Sequence, residues 1–439
     1  MLKQLPRSES DTHATRAGVR EAEEALEPAT GFLHRLRRAW YHLVVRVITG
    51  LAEVALMTAG WLGRKPRSTQ GSGCDIMLTG RFDSANWILA FLGPLSASQA
   101  CGRVWMVSTN PVPALPNVEA VYPPKMLSKI LGGTSARLLT FTWMALRKRP
   151  HVVGGFHLTV NGIVTAVVGR LAGARSLYFC VGGPIEVRGG GHLLDGTTYG
   201  KMETPDLVVE KGLKRIVKSF DTIVTMGTTA ARYFCDQGVT ADVHVVSGGI
   251  DLERFPLEGQ SKPSDLVLTA RLRSIKRIDV FLHVVKLVTE ALPQLRTVVV
   301  GQGPLQGELE ALSAQLGIEA NVCFTGFVDD DALAAYLRGS KIFVLTSDSE
   351  GLSLALTEAM ICGLPAVVSD IGDLGDLVDD GVNGYLVPRR SPEHFARRIV
   401  ELLSDKKKLN GFSKAARAAA RRYASQAITD RWDAILAKL

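Results

Sequence analysis

Residues Ser349–Pro365 read SEGLSLALTEAMICGLP and lie between two short apolar runs, IFVLT at 342–346 and AVVS at 366–369. The apolar runs predict buried strands, and the residues between them predict a glycine-containing loop that leads into an apolar helix. The free N–H groups and the dipole at a helix N-terminus attract an anion. Glu350 and Glu358, eight positions apart, would then bind hydroxyl groups on either side of that anion. A nucleotide-sugar presents these groups in that order, as sugar, diphosphate and ribose.

The composition of the chain is that of a globular protein with more than one core. Its 439 residues are 46% hydrophobic and 21% charged, which allows two α/β domains and an appendage. A net charge of +8 and an isoelectric point near 9.2 favour anionic partners, either phosphates or acidic lipid surfaces. The chain has no basic motif with interspersed aromatic residues, so we expect no nucleic-acid partner. Six cysteines without a C-x-x-C pair indicate free thiols in a reducing compartment, which favours a cytoplasmic location.

Short strand patterns alternate with helix patterns in two successive blocks. In the first block the predicted strands are Ile76–Thr79, Val104–Ser108, Val152–Phe156, Leu177–Val181, Thr222–Met226 and Val243–Ser247. In the second block they are Leu266–Ala270, Thr297–Gly301, Val322–Gly326, Ile342–Thr346, Ala366–Ser369 and Tyr385–Val387. Helix patterns separate the strands, for example at Val160–Leu171 and Leu213–Phe220. This alternation predicts an α/β protein with two parallel, Rossmann-like sheets, whose ligand sites lie at the carboxyl ends of the strands and face a common cleft.

Residues 32–63 form a long apolar stretch that is flanked by arginine and lysine. The stretch is long enough to span a bilayer, but the charged residues in its middle would each cost about 2.5–3.5 kcal/mol at the centre of a membrane helix. A narrow polar stripe recurs in it at helical spacing, formed by His42, Arg46, Thr49 and Glu53. Two interpretations remain open: a helix in a membrane interface, with Trp40 and Trp61 as anchors, or a helix that packs on the protein itself. A transmembrane span is less favoured than either.

Several motifs follow one another in a fixed order in the second block. They are SGGIDLERF (Ser247–Phe255), TARLRSIKRID (Thr269–Asp279), VVVGQGP (Val298–Pro304), FTGFV (Phe324–Val328), SEGLSLALTEAMICGLPAVVSD (Ser349–Asp370), IGDLGDLV (Ile371–Val378) and DGVNGYLVP (Asp380–Pro388). With these motifs in this order, the chain resembles the family 4 glycosyltransferases, which are retaining enzymes of the group 1 type with the GT-B fold. The resemblance is strong over residues 240–435 and weak over residues 75–240.

The resemblance implies transfer of a sugar from a nucleoside-diphosphate donor with retention at the anomeric carbon. It implies that Arg271 and Lys276 clamp the diphosphate, and both follow a strand end, where cations would neutralise the departing phosphate. It assigns Glu350 to the hydroxyls of the donor sugar and Glu358 to the ribose, whereas two glutamates by themselves would favour an ordinary capped helix. The resemblance further implies that the phosphates face the N–H groups of Gly351, Leu352, Ser353 and Leu354, and that the nucleobase is lined by Phe327 and Val328.

The first block contributes one further candidate, His157, which follows the strand pattern that ends at Phe156. Members of the family place a histidine about there, where it reaches the sugar or the acceptor. A lone histidine is more often structural, so both roles stay open, and we include His157 in the predicted catalytic set with Arg271, Lys276 and Glu350. We expect no metal, because Asp329–Asp331 stand just before a helix pattern, where aspartates act as caps. We expect no cofactor either, since the nucleoside-diphosphate-sugar is the donor substrate.

The chain departs from the family pattern mainly in its first half. The glycine pair that the family has after the first strand is missing, and the chain has Gly80-Arg81-Phe82-Asp83 there. A histidine-glycine pair often seen after the fourth strand is replaced by Val181-Gly182-Gly183, and the usual glutamate near the acidic turn is Asp376. Arg277 stands where a glycine often follows the clamp lysine. Gly301-Gln-Gly303 imitates a dinucleotide fingerprint, but its third glycine is misplaced. The donor half of the pattern is therefore intact and the acceptor half divergent.

These observations divide the chain into five segments. They are a flexible tail at 1–31, an apolar and basic helical extension at 32–65, an acceptor-side Rossmann-like domain at 74–255, a donor-binding Rossmann-like domain at 262–412, and a C-terminal helix at 413–439 that packs back on the first of these domains. We expect a cytoplasmic glycosyltransferase that acts on a glycan or a lipid-linked acceptor in polysaccharide or glycoconjugate synthesis. If the extension is the interface helix, the enzyme lies at the inner face of the membrane. The alternatives are a non-catalytic partner with the same fold and a hydrolase or epimerase of nucleotide-sugars.

Overall fold

The computed structural model describes residues 32–67, 73–82, 84–194, 196–255 and 262–439. The predicted tail at 1–31 lies outside the described residues. Two separate sheets, one in each half of the described chain, have only parallel neighbours among their named strands. Helices connect the strands and cover the sheets. The predicted α/β architecture of two Rossmann-like domains is confirmed.

The first domain contains one sheet and the helices around it. Its described strands are β1 (Cys74–Thr79), β2 (Cys101–Val107), β3 (Val118–Val121), β4 (Val152–Phe156), β5 (Arg175–Cys180), β6 (Thr222–Thr225) and β7 (Asp242–Val245). Its described helices are α1 (Phe32–Leu62), α2 (Ala85–Ala97), α3 (Lys125–Leu131), α4 (Gly133–Lys148), α5 (Ile163–Ala172), α6 (Leu207–Val217) and α7 (Thr228–Asp236). The strands lie in the order β3-β2-β1-β4-β5-β6-β7, so β1 and β4 are central neighbours.

The second domain repeats this plan. Its described strands are β8 (Ser264–Thr269), β9 (Thr297–Val300), β10 (Val322–Gly326), β11 (Ser340–Leu345), β12 (Ala366–Ser369) and β13 (Gly384–Val387). The described helices that follow are α8 (Ile278–Ala291), α9 (Gln306–Gln315), α10 (Asp330–Arg338), α11 (Leu354–Ile361), α12 (Pro392–Ser404), α13 (Lys406–Ala420) and α14 (Ser425–Leu436). The strand order is β10-β9-β8-β11-β12-β13.

Each sheet has one switch point, where the strand order turns from one direction to the other. The switch point lies between β1 and β4 in the first sheet and between β8 and β11 in the second. Open parallel sheets bind their ligands in the crevice at the carboxyl ends of such strands. Because His157 directly follows β4 and Glu350 follows β11, the fold places these two predicted residues at switch points.

Two predicted helix ranges are wrong at their ends. The helix predicted at Val160–Leu171 begins only at Ile163, because Val160 has a φ of 69° inside a π-helical turn. The helix predicted at Leu213–Phe220 begins six residues earlier, at Leu207. The side chain of Asp206 accepts hydrogen bonds from N–H groups of its first turn and so caps the helix there. Strand β3 is not predicted from the sequence, because its four residues, VEAV, include a glutamate and form no clear apolar run, in keeping with their partial burial.

The end of the chain returns to the first domain. The boundary predicted at 412/413 lies inside α13, which is one continuous helix. Helix α14 then packs against α2. The hydroxyl of Thr429 donates to the carbonyl of Pro94 at 3.1 Å, and the hydroxyl of Ser98 donates to the carboxylate of Asp433 at 2.6 Å. In space, the last helix therefore belongs to the first domain.

Helix α1 lies on the first domain, against α5 and α6. Its polar stripe faces the domain: Nε of Arg46 donates to the buried carboxylate of Asp206 at 2.8 Å, and Glu53 forms an ion pair with Arg215. On the same side, α1 buries its own residues Val45, Thr49, Ala52, Leu56 and Ala59 against the domain. This face of α1 is therefore that of a packing helix.

The opposite face of α1 is apolar and exposed. Most of the large exposed apolar residues of α1 lie on it, namely Leu36, Trp40, Leu43, Val47, Leu51, Val54, Met57, Trp61 and Leu62, and Trp61 is 92% exposed. By length and composition the helix could also cross a bilayer between His34 and Leu62, although core helices and signal sequences pass the same test. Helix α1 thus turns its polar stripe inward and its apolar side outward, which is the reverse of an ordinary surface helix.

Candidate active site

Two loops meet at the switch point of the second sheet, one after β8 and one after β11. The N–H group of Asp348 donates to the carbonyl of Ile275 at 2.9 Å, and the hydroxyl of Thr346 donates to the carbonyl of Arg277 at 2.8 Å. These bonds connect the loops because β8 and β11 are neighbouring strands. The structure therefore brings the predicted diphosphate clamp next to the predicted sugar-binding loop.

Lys276 and Glu350 form an ion pair at this junction. The ammonium Nζ lies 2.5 Å from Oε1 of the glutamate, and the hydroxyl of Ser347 donates to the same oxygen at 2.6 Å. Both charged side chains are largely shielded from solvent. A phosphate that bound here would share the lysine with Glu350, since an ammonium has three donors. Arg271 lies at the end of β8 in the same loop and has an exposed side chain.

The glycines of the GQG motif shape the loop that carries Arg271. Gly301 has a φ of 130°, and a Cβ there would lie 2.0 Å from the carbonyl oxygen of Ala270. A Cβ on Gly303 would lie 2.4 Å from the carbonyl oxygen of Leu272. Both distances exclude any larger residue without movement of the backbone. The motif therefore serves the close packing of two loops, in agreement with the view that it is no dinucleotide fingerprint.

Arg277 explains why a glycine often occupies its position. Its φ of 48° lies in the left-handed region, which a side chain disfavours. The guanidinium is held by Asp279, with its NH2 atom 2.7 Å from the carboxylate, and by Asp348, at 3.3 Å. The hydrogen bonds that the guanidinium donates to Asp279 are the largest cause that raises the pKa of Arg277 above its ordinary value. These two ion pairs stabilise the strained backbone directly beside Lys276.

The loop before α11 lies against the first domain. Ser353 is the N-cap of this helix, and its side chain accepts from the N–H group of Leu356. A Cβ on Gly351 would lie 2.9 Å from the carbonyl oxygen of Val181, which directly follows β5. A larger residue would push the two domains apart at this point. The predicted phosphate-facing stretch, Gly351 to Leu354, therefore lies at the cleft between the domains.

Glu358 lies on α11 and is 8% exposed. Burial raises its pKa from 4.5 to about 7, an effect that nearby Arg254 reduces and Asp330 increases. The side chain lines a cavity of about 300 Å³ between the domains, together with Asn86, Asp251, Arg254 and other residues. A buried carboxylate beside a cavity is suited to accept hydrogen bonds from ligand hydroxyls, because it has few competing donors in the protein.

Phe327 and Val328 follow the end of β10 and precede α10. Phe327 is 72% exposed, whereas Val328 is partly buried against the core.

Asp329 caps α10 by accepting from the N–H group of Ala332 at 2.9 Å. Asp330 forms an ion pair with Arg254 at 2.8 Å and accepts a hydrogen bond from Asn86. The acidic run thus engages a helix start and a contact between the domains.

His157 is held by a fully buried glutamate, Glu186. Its Nδ1 atom lies 3.0 Å from Oε1 of that residue. Three other donors point at the same carboxylate: the N–H groups of Leu158 and Gly182, both at 2.6 Å, and the hydroxyl of Tyr178 at 2.9 Å. Burial opposes ionisation of Glu186, but the charge of His157 and these N–H donors outweigh it and hold its pKa below the ordinary value. The ionised carboxylate therefore fixes the orientation of the imidazole.

The backbone at His157 is strained in the way that functional sites often are. Its φ is 65°, and the π-helical turn Leu158–Gly162 follows directly. Positive φ at a residue other than glycine costs about 1–3 kcal/mol and persists only where the surroundings enforce it. Here the four hydrogen bonds to Glu186 enforce it. The imidazole remains 40% exposed at the carboxyl end of β4.

The acidic turn after β12 contacts the first domain. The carboxylate of Asp376 accepts from the N–H group of Thr228 at 2.6 Å, and that of Asp373 accepts from the N–H group of Thr229 at 2.7 Å. Both donors lie in the first turn of α7, where free N–H groups attract anions. Asp376, which replaces the usual glutamate of the family pattern, therefore takes part in an interdomain contact.

Two residues of the site have no role in the sequence interpretation. Arg254 lies within the motif Ser247–Phe255. The place of this motif in the series is the signal that could have singled out Arg254. Glu186 lies in a stretch without motif, VGGPIEV, and its charge among apolar and glycine residues is the only available signal. A buried glutamate almost always has a partner, but the sequence does not identify His157 as that partner.

Comparison with known proteins supports the interpretation of the second domain. Residues 250–419 match the family described as Glycosyl transferases group 1. A D-inositol 3-phosphate glycosyltransferase of Streptomyces bingchenggensis is 32% identical over 183 residues, which cover 37% of this chain and 40% of that protein. The amylovoran biosynthesis glycosyltransferase AmsK of Erwinia amylovora is 25% identical over 287 residues, 62% of this chain and 66% of that protein. The match to the first of these relatives thus spans less than half of its length.

Solved structures resemble the chain over both domains. The sucrose-phosphate synthase of Thermosynechococcus elongatus superposes with a TM-score of 0.68 at 17% identity and covers 83% of this chain and 98% of its own. HepE of Anabaena, solved in complex with UDP-glucose, superposes with a TM-score of 0.66 at 18% identity and covers 83% of this chain and 100% of its own. Identities this low establish the fold alone. The chain has the predicted GT-B fold, and over residues 250–419 it resembles the group 1 glycosyltransferases, which confirms the group 1 part of the resemblance predicted from the order of its motifs.

Proposed function

We propose that the protein is a retaining glycosyltransferase that moves a sugar from a nucleoside-diphosphate-sugar to a glycan or lipid-linked acceptor, in polysaccharide or glycoconjugate synthesis. The observation that carries the proposal is the ion pair of Lys276 with Glu350 at the switch point of the domain that matches the group 1 family. In this ion pair, a residue proposed to bind phosphate lies beside one proposed to bind the sugar, at the place where an open parallel sheet binds its substrate.

The proposed reaction exchanges one bond at the anomeric carbon. The bond from this carbon to the diphosphate oxygen breaks, and a bond from the carbon to the acceptor hydroxyl oxygen forms on the same face. The proton of the acceptor hydroxyl moves to the departing diphosphate oxygen, and the products are the nucleoside diphosphate and the glycoside. Retaining glycosidases use a carboxylate nucleophile instead. Glu350 is engaged by Lys276 and Ser347, which favours a binding role for it.

Catalysis in this proposal comes from positioning and from electrostatic stabilisation. Arg271, Lys276 and the N-terminus of α11 supply positive charge to the departing diphosphate, so that no divalent ion is required. Glu358 binds the ribose from the interdomain cavity, and Phe327 with Val328 borders the nucleobase. His157, held by Glu186, reaches the sugar or the acceptor from the first domain.

We further propose that the enzyme is a cytoplasmic protein bound to the inner face of the membrane. The support is α1, whose polar stripe packs on the protein while its apolar side is exposed. Helix α4, which packs on α5 as α1 does, also exposes apolar residues, among them Leu139 and Trp143. Apolar surfaces with flanking basic residues are typical of proteins that bind anionic membranes. Such a location suits a lipid-linked acceptor.

The donor assignment is tested by thermal unfolding with a series of nucleotide-sugars and free nucleotides. A ligand at a hundred times its dissociation constant stabilises the folded protein by about 2.7 kcal/mol. We expect stabilisation by one nucleotide class and release of the nucleoside diphosphate only when an acceptor is added. Release without any acceptor would favour the hydrolase, and binding without turnover under every acceptor tested would favour the non-catalytic partner.

A further inference from the structure

A row of basic side chains follows the N-terminal half of α1. It consists of Arg35, Arg38, His42 and Arg46, spaced three, four and four residues apart, so that the four share one face of the helix. Together with Thr204 from the loop before α6, these residues line a surface pocket of about 380 Å³. We call it the α1 pocket. Like charges at this spacing repel one another and destabilise a helix unless an anion compensates them.

The protein itself compensates only part of this charge. Asp206 is buried and accepts from Nε of Arg46 at 2.8 Å, and it lies 2.8 Å from Nδ1 of His42. Nε2 of His42 lies 3.0 Å from the hydroxyl of Thr204. Among the described residues, no carboxylate lies within ion-pair distance of Arg35 or Arg38. The three arginines of the α1 pocket therefore exceed by two the one carboxylate that is bonded to its lining, Asp206. Glu203, next to Thr204, pairs instead with His34 and Arg37, which do not line the pocket.

The α1 pocket lies beside the exposed apolar side of the helix. At 100° per residue, the basic row is turned by roughly a third of a turn from the centre of the apolar residues Leu36 to Leu62. If that apolar side enters a membrane, the basic row stands at its flank, at the level of the lipid headgroups. Leu43, which lines the pocket, also belongs to the exposed apolar side. A ligand of the pocket would thus have its charge and its apolar part on adjacent surfaces.

We propose that the α1 pocket binds the headgroup phosphate of an anionic phospholipid, with the acyl chains along the apolar side of α1. The proposal rests on the membrane attachment proposed above and adds a defined site and lipid class to it. Guanidinium groups suit this ligand, because their planar array of donors binds phosphate oxygens in pairs and is less strongly hydrated than an ammonium. Arg46 keeps two terminal nitrogens for the ligand, since only Nε donates to Asp206.

The test compares two variants that remove the same charge. Arg35→Gln with Arg38→Gln removes two positive charges from the α1 pocket. Lys406→Gln with Lys407→Gln removes two exposed charges from the start of α13 in the other domain. Full-length wild type and both variants are sedimented with vesicles of phosphatidylcholine alone and with vesicles that also contain phosphatidylglycerol. Equal unfolding temperatures of the three proteins would show that the substitutions leave the fold intact.

We expect wild type and the Lys406/Lys407 variant to bind the phosphatidylglycerol vesicles alike, and the Arg35/Arg38 variant to bind them about thirty-fold more weakly. Equal binding of the two variants would show attraction by net charge without a site and would overturn the proposal. Release of wild type by millimolar inorganic phosphate at constant ionic strength would also overturn it, in favour of a site for free phosphate. Absence of any vesicle binding would overturn the membrane attachment as well.

These results are independent of the proposed transferase activity. Nucleotide binding, followed by thermal unfolding without vesicles, should be the same in wild type and in the Arg35/Arg38 variant, because the α1 pocket contains none of the donor-site residues. If no nucleotide stabilises either protein, the donor assignment fails while the vesicle result still decides the headgroup site.

Discussion

The Nζ atom of Lys276 lies 2.5 Å from Oε1 of Glu350, although 74 positions separate the two residues along the chain. The contact joins the loop after β8 to the loop after β11. We propose that the lysine binds the diphosphate and that the glutamate binds the sugar. One ion pair therefore connects the two parts of the proposed donor site. A donor that bound here would share the lysine with Glu350, whose carboxylate would then face the sugar hydroxyls.

Removal of this lysine should affect turnover more than donor affinity. Lys276→Ala loses a charge-assisted contact to the diphosphate, worth about 1.5–3 kcal/mol, and the negative charge there is greatest in the transition state. We expect kcat to fall at least ten-fold and the dissociation constant of the donor to rise less. Lys341→Ala is the control, because Lys341 pairs with Asp265, on β8, rather than with Glu350. A variant with unchanged kcat would refute the role of Lys276.

Glu358 should make the stability of the protein depend on pH. Its pKa of about 7 in the folded state is above the ordinary 4.5, so the folded state holds the proton more tightly than the unfolded state. The free energy of unfolding should therefore fall as the pH rises from about 4.5 to 7, and the loss stays constant at higher pH. Glu358→Gln cannot ionise and should be more stable than wild type at pH 8, by at most about 3 kcal/mol.

Denaturant unfolding of wild type and Glu358→Gln at pH 5 and pH 8 measures this difference. We expect nearly equal stability at pH 5 and a clear gain for the variant at pH 8. A gap that does not change with pH would contradict the raised pKa. The same variant should bind nucleotide more weakly, and Glu358→Ala more weakly still, by about 1.5–3 kcal/mol.

Glu186 should act on the reaction through His157. Glu186→Gln places an amide, which is donor as well as acceptor, among four donors, and should lower the free energy of unfolding at neutral pH by about 1.5–3 kcal/mol. Because the folded pKa of Glu186 is below the unfolded value, the stability that wild type gains from it is lost as the pH falls through the folded pKa. The difference between the two proteins should therefore shrink in acid.

The catalytic effect of Glu186 is separated from its structural effect by the pH profile of kcat/KM. Without the carboxylate, the imidazole loses the buried anion that orients it, and we expect the pH profile of Glu186→Gln to be shifted relative to that of wild type. Glu210→Gln is a suitable control, because Glu210 also accepts from a backbone N–H group of this domain but forms its ion pair with Lys214. An unshifted profile would assign Glu186 a structural role alone.

Chelation of metal ions should leave the activity unchanged. The proposed positive charge at the diphosphate comes from Arg271, Lys276 and the start of α11, and Asp329 and Asp330 are already engaged by Ala332 and Arg254. Turnover measured with EDTA and then with added magnesium or manganese checks this. Loss of activity in EDTA and its recovery with either ion would require a metal site in the acidic run.

The positions of the proposed donor-site residues follow from the sequence because each of these residues lies in a contiguous motif. The glycine, serine and glutamate positions between Ser349 and Pro365 determine loop, cap and helix locally, so that α11 begins one residue after the cap Ser353. The pairing of Lys276 with Glu350 also follows, once β8 and β11 are neighbours. Glu186 does not follow, because its four donors come from separate segments that only the folded sheet assembles.

The orientation of the polar stripe on α1 is a second feature that the sequence does not determine. Periodicity establishes that His42, Arg46, Thr49 and Glu53 share one face, but it does not tell whether that face meets solvent or protein. The structure supplies the partners, Asp206, Tyr199 and Arg215, all more than a hundred residues away. A deletion of residues 1–65 would therefore also uncover part of the first core, and point variants are the better test of membrane binding.

The return of α14 to the first domain means that the chain connects the domains twice, and Ile250, which precedes the first connection, is bonded to residues of the second, Tyr423 and Ser425. The N–H group of Ile250 donates to the carbonyl of Tyr423, and the N–H group of Ser425 donates to the carbonyl of Ile250, both at 2.9 Å. Two connections bonded to each other would favour rotation of the domains about an axis near Ile250 and Ala424, because a double connection resists twisting more than a single one. Closure of the domains over a donor would then follow this axis. Without α14, a single chain connection would remain, and the domains could also twist about it.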